Sequence, residues 1–150
     1  MKICITFLSL LAVMVADADH THDHAAYVVK TKQDLTKYRE DCVSKLSIPA
    51  DLVEKYKKWE YPDDDKSRCY LKCIFEHFGM FDEQNGFNIH NIHHQVAGDN
   101  VNHSDELHEK IEKCANQAED ATDACTKAYR GGICFLKENL SLVKQSVAAE

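Results

Sequence analysis

The chain has 150 residues, a formal net charge of −7, 44% hydrophobic residues and seven cysteines. That length suits one domain with one core. The negative charge argues against nucleic acid or an anionic membrane surface as the main partner, because like charges would repel.

Lys2 is followed by an apolar run from Ile3 to Ala16 and then by Ala16-Asp17-Ala18, the small-x-small pattern of a signal-peptidase site. Residues 1–18 therefore read as a secretory signal; an apolar run of about fourteen residues is too short to cross a bilayer as a helix. Removing it takes away Cys4 and leaves six cysteines, and an even count in an oxidising compartment points to disulfides. Residues 19–30, with His20, His22 and His24 among small and polar neighbours, read as a mobile tail ahead of a single helical domain over 31–150.

The remaining pattern is helical. Leu35, Tyr38, Cys42, Val43 and Leu46 recur three or four apart and predict one face of a helix over 33–46. Pro49 suits a first-turn position, so a second helix is expected from Pro49 to Lys58. After the turn at 61–65, Asp64 or Asp65 can cap a third helix over 65–78 that stops at Gly79. Glu83-Gln84-Asn85-Gly86 signals a turn, and Asn88 caps a short helix running to Ala97 and closed by Gly98. Ser104 marks the start of a fifth helix carrying Leu107, Ile111, Cys114 and Ala118. Thr122 opens a sixth, through Cys125, Ala128, Tyr129, Cys134 and Phe135 to Glu138. No period-two run suggests a strand, so the expected fold class is all-α, with six helices.

Cys69 and Cys73 lie on the third helix. Residues four apart share a helix face with Cβ atoms about 5–6 Å apart, whereas a disulfide needs about 3.5–4.5 Å. The two should not bond to each other. Cys125 and Cys134, nine positions apart, point to opposite sides of the last helix. Excluding both pairs reduces about 15 possible connectivities to about 10, and geometry leaves those open.

The cysteine spacing, with three residues between Cys69 and Cys73 and eight between Cys125 and Cys134, resembles that of the six-cysteine insect odorant-binding proteins. "LVEKYKKWEYPDDD" and "KAYRGGICF" resemble a dipteran branch of that family. The resemblance covers the domain apart from the His-containing tail. It implies pairing of Cys42 with Cys73, Cys69 with Cys125 and Cys114 with Cys134. It also implies a six-helix bundle stapled around an internal apolar cavity that carries a small hydrophobic ligand such as an odorant, a pheromone or a fatty acid. A monomer or weak dimer in extracellular fluid (sensillar lymph, haemolymph or a glandular secretion) follows from it, with a membrane receptor as a further partner at delivery.

Packing alone explains the stripe of Leu71, Ile74, Phe75 and Phe78, but the resemblance turns part of it into cavity wall. On the same grounds Ile92 and Val96 of the fourth helix, Ile111 of the fifth, and Ala128 and Phe135 of the last are expected to line the ligand site. Met80 and Phe87 are expected at one mouth. Beyond Asn139, Leu140, Leu142 and Val143 form an apolar strip that either folds back as a lid, with Leu140 and Val143 touching ligand, or packs outside as a helix end. Gly131 and Gly132 interrupt the last helix, each at a cost of about 1 kcal/mol relative to Ala. Close approach of another helix near Cys134 and room for a ligand both account for them.

Other chemistry fits less well. Thiol oxidoreductases space their cysteines by two residues, and structural zinc wants closer-set pairs in a reducing compartment. His90 and His94 share a helix face, with His93 beside them and His103 and His108 further along. A wet polar face accounts for them; a pH-responsive contact and a metal site are the alternatives. No metal or cofactor is expected. Neither G-x-S-x-G nor H-E-x-x-H occurs, since His108-Glu109 is followed by Lys-Ile-Glu, and with every mature cysteine bridged no thiol nucleophile remains. No catalysis is expected. Asn102-His103-Ser104 and Asn139-Leu140-Ser141 match the glycosylation pattern. The competing function is an extracellular disulfide-rich helical module that binds a protein or a metal around a solid core.

Overall fold

The computed structural model describes residues 26–98 and 106–148. They form α1 (Lys32–Leu46), α2 (Ala50–Lys57), α3 (Asp65–His77), β1 (Phe81–Asp82), β2 (Gly86–Phe87), α4 (Ile89–Ala97), α5 (Glu106–Asn116) and α6 (Ala124–Ser146). The expected signal segment 1–18, the histidines of the tail, and the start at Ser104 lie outside the described residues.

Local chemistry sets the helix starts. Thr31 and Asp34 close a reciprocal capping box on α1, and Asp64, Asn88 and Asp123 each accept a bond from the backbone N–H three residues on. Capping by Asp123 moves the start of α6 two residues past Thr122, and Pro49 sits at the cap of α2 instead of inside it. Gly79, with φ +68°, takes the left-handed conformation that ends α3.

Two features differ from the expectation. Phe81 pairs with Phe87 and Asp82 with Gly86 in a short antiparallel hairpin. Two residues per strand are too few to show a period in the sequence, and the turn is built from Asp82, whose carboxylate accepts from the backbone N–H groups of Gln84 and Asn85. Second, α6 runs on to Ser146, continuing beyond Glu138 through a kink at Asn139 (φ −130°, ψ 23°).

Three bridges lock the helices: Cys42–Cys73 joins α1 to α3, Cys69–Cys125 joins α3 to the start of α6, and Cys114–Cys134 joins α5 to α6. This is the pairing the resemblance implies. Beside them, Tyr56 of α2 stacks on Tyr70 of α3 with ring centroids 4.2 Å apart, and its hydroxyl shares a 2.8 Å hydrogen bond with Ser67. Both rings are buried. This aromatic layer holds α2 on α3, and α3 packs most extensively against α6.

The segment expected to be mobile as far as residue 30 is anchored from Tyr27 onward. Gln95 of α4 accepts from the Tyr27 hydroxyl (2.9 Å) and the Lys30 backbone N–H (2.7 Å), and its amide donates to the Lys30 carbonyl (2.9 Å).

Candidate functional site

The inner faces of α3, α4, α5 and α6 do not meet in a filled core. They leave between them a partly open cavity in which the centre of a water-sized sphere has about 80 Å³ to move. That exceeds the room for a single water, and the lining is almost wholly apolar, which suits an apolar guest better than water.

Each element contributes by its periodicity. Leu71, Ile74, Phe75 and Phe78 of α3 form one side, with Met80 and Phe87 of the hairpin at their end. Ile92 and Val96 of α4 and Ile111 of α5 face them, and Phe135 and Val143 of α6 complete the wall. All of these were expected from the sequence. Ala128 and Leu140 are not in the wall. Ala128 shares a helix face with Gly132 and Phe135 but lies about a turn nearer the Cys69–Cys125 bridge, where the two Cα atoms stand 4.6 Å apart and the helices leave no space. It is fully buried there. Leu140 directly follows the Asn139 kink, which turns it out of the wall, while Val143, Ser146 and Val147 turn in.

Several wall residues were not anticipated. Arg39 of α1, Trp59 and Tyr61 between α2 and α3, and Tyr70 of α3 cluster at one end, and Leu35 of α1 and Gln95 of α4 also line the cavity. Leu35 and Arg39 lie four apart, so the apolar face of α1 carried a signal for them. Trp59 carried none. It adopts φ +65°, a left-handed conformation unusual for a bulky residue, and no local pattern announces it.

The glycine pair explains how the cavity is shaped. A Cβ on Gly131 would come 2.3 Å from Phe87 Cε2 and 3.3 Å from the Cys114 carbonyl; one on Gly132 would come 2.3 Å from Phe75 Cε2. Close approach of another element accounts for both glycines, since Gly131 admits α5 and a ring while Gly132 admits a ring alone; the space beside them is taken by the chain's own phenylalanines rather than left for a ligand. Phe75 and Phe87 stand edge to face with centroids 6.0 Å apart, and each rests on bare α6 backbone.

The polar groups at the site are few. Gln95 is occupied by the Tyr27–Lys30 strap and by the Ser146 carbonyl at 3.4 Å, and the Ser146 hydroxyl donates to the Val143 carbonyl. Burial pushes the Tyr61 and Tyr70 phenols above their usual range, and the nearby Arg39 charge opposes that rise only in part. Both phenols stay neutral at ordinary pH.

The histidines lie apart from this wall. His90 is exposed and His94 half-buried, with ring centroids 5.9 Å apart. His93 is fully buried, so the wet-face reading does not extend to it; its ring meets His108 of α5 edge to face at 5.5 Å. His103 lies outside the described residues. Among the described residues, the metal-type grouping that geometry brings together is Cys42, Cys73 and His77; its two sulfurs are already bonded to each other and offer no thiolate. The Asn139 amide nitrogen, where a glycan would attach, is directed at the Phe135 carbonyl (3.1 Å) on a buried residue, so that sequon is closed in the folded chain. The Asn102 sequon falls outside the described residues.

A model of the PBP/GOBP family matches residues 24–138. The chain is similar to general odorant-binding protein 99b of Drosophila melanogaster, with 51% identity over 149 residues covering 98% of this chain and 99% of that one. It is also similar to odorant-binding protein 22 of Aedes aegypti, with 42% identity and 98% coverage of each chain. Among solved structures it resembles the Anopheles gambiae odorant-binding protein 22a with the odorant cyclohexanone bound, at a TM-score of 0.59 and 23% identity, covering 73% of this chain and 93% of that one. That last likeness is one of fold.

Proposed function

We propose that this chain, which belongs to the PBP/GOBP family, is an exported carrier that takes one small apolar molecule into the cavity between α3, α4, α5 and α6. The observation that carries the reading is the apolar lining of the cavity: α6 gives up side chains at Gly131 and Gly132 so that two aromatic rings can wall it. A module with a solid core would have no use for that arrangement.

The mechanism is partition. Each methylene leaving water contributes about 0.8 kcal/mol, so a twelve-carbon chain gains roughly 10 kcal/mol gross. Association costs of at least about 4 kcal/mol bring the net toward micromolar affinity. Binding is governed by shape and tolerates many ligands, and the reading assigns no reaction to the chain. The wall residues of α3, Met80, Phe87, Ile92, Val96, Ile111, Phe135 and Val143 make the contacts, and the end of α6 beyond Asn139 acts as the movable part of the wall.

Titration with an environment-sensitive apolar dye tests this. A carrier binds the dye saturably, one per chain, and releases it to apolar competitors. Fluorescence that rises without saturation, or no rise at all, contradicts the proposal.

A further inference from the structure

The cavity has one end that differs in kind from the rest. Of the chain's three arginines, Arg68 pairs with Asp63 at 2.7 Å and Arg130 with Asp120 at 3.0 Å, both at the surface. Arg39 lines the cavity instead. Its Nη2 is buried without a hydrogen-bond partner, and among the described residues it has no carboxylate partner. The guanidinium lies over the Trp59 ring, 5.0 Å from the centroid, and Lys144 Nζ approaches the same ring at 6.0 Å. No carboxylate is among the groups whose charges act on the neighbouring Tyr61 and Tyr70 phenols.

This end therefore combines positive charge, an unused N–H donor and aromatic walls. Arg39 is half-buried, and a charged donor out of water is costly unless hydrogen-bonded; stacking on the indole and bonds to the Tyr61 and Tyr70 phenols compensate in part, and Nη2 is left over. Gln95, elsewhere in the wall, is bonded through both its oxygen and its nitrogen. Arg39 Nη2 is left as the donor available to a guest, and a guanidinium forms short charge-assisted bonds with a carboxylate.

We propose that Arg39 is the head-group anchor of the cavity, and that the preferred guest is an apolar chain ending in a carboxylate, held with its tail among Phe75, Phe87 and Ile111 and its acid group at Arg39. The inference rests on the carrier reading and narrows it to a ligand class. The fold supports the placement: α1 is fixed to α3 by the Cys42–Cys73 bridge, three residues beyond Arg39, so the anchor does not drift as the wall near α6 adapts to the tail.

The test compares dodecanoic acid, methyl dodecanoate and 1-dodecanol as competitors of a neutral apolar dye at pH 8, on the wild-type chain and on Arg39→Met and Arg39→Gln. The wild type should bind the acid at least about tenfold more tightly than the ester or the alcohol. Both variants should lose that preference, read as the ratio of acid to ester affinity on the same protein. A cooperative urea transition with the wild-type slope shows that the variants fold. Equal affinity of the wild type for acid and ester overturns the anchor while leaving the carrier reading intact, as does undiminished acid preference in the variants. Failure of all three compounds to displace the dye overturns both.

Discussion

Gly132 shows how one missing side chain decides what the cavity can hold. Alanine there would gain about 1 kcal/mol of helix propensity, yet its Cβ would meet the Phe75 ring at 2.3 Å. The ring would have to turn into the cavity. Gly132→Ala is therefore expected to leave stability within about 1 kcal/mol of wild type while weakening dye binding roughly tenfold, as measured by urea denaturation and dye titration on the same protein. Gly131→Ala differs, because the Cys114 carbonyl at 3.3 Å is backbone and cannot swing away; it should destabilise by about 1–3 kcal/mol. Phe75→Ala is expected to change the ranking of competing ligands more than it lowers stability. Unaltered displacement curves for a ligand panel would contradict that. The two glycines stood out in the sequence as misfits in a helix, but their ring partners could not be read there, since Phe75 and Phe87 reach them only through the tertiary fold.

At the scale of the element, the legible parts were those with a repeating signal. The apolar stripe of α3 and the caps at Asp64 and Asn88 are local patterns and placed the helices and their inner faces, whereas the expectation that those faces wall a cavity came from the family resemblance. The hairpin was missed because its strands are two residues long, and the run of α6 past Asn139 because Asn139 breaks the helical dihedrals without breaking the helix. The strap at 27–30 was missed for another reason: its partner, Gln95, lies at least 65 residues away. That one amide ties α4 to the strap and to the end of α6. Gln95→Leu would leave the Lys30 N–H and the Tyr27 hydroxyl unsatisfied, so it is expected to cost about 2 kcal/mol. Hydrogen exchange should show the loss of protection concentrated at residues 27–31, with α3 unchanged.

Over the whole molecule, the three bridges close segments of 31, 56 and 20 residues, each contributing roughly 3–4 kcal/mol in the chain-entropy view, not additively. They offset the dispersion contacts that an open interior forgoes. The pH limits follow from the buried and capping groups. All six tyrosines have phenols pushed up by burial. A phenol raised in the folded state stabilises fully below its ordinary value of about 10 and loses that contribution as pH climbs beyond it. The carboxyls of Asp34, Asp82 and Asp123 are held low, chiefly by backbone N–H groups for the first two and by Thr126 for the third. Their contribution is present above the ordinary carboxyl value of about 4 and is lost as pH falls below it. Urea midpoints measured from pH 3 to 11 should form a plateau that drops at both ends, with tyrosinate absorbance appearing together with alkaline unfolding. Phenols ionising near pH 10 in the still-folded chain would contradict the burial described here.

The most direct measurement is a crystal structure with a bromine-tipped fatty acid, whose anomalous signal locates the tail without reference to any assumed pose. The account places the bromine inside the wall formed by Phe75, Phe87 and Ile111, one per chain. Bromine found only on the outer surface, with the interior unchanged, would contradict it.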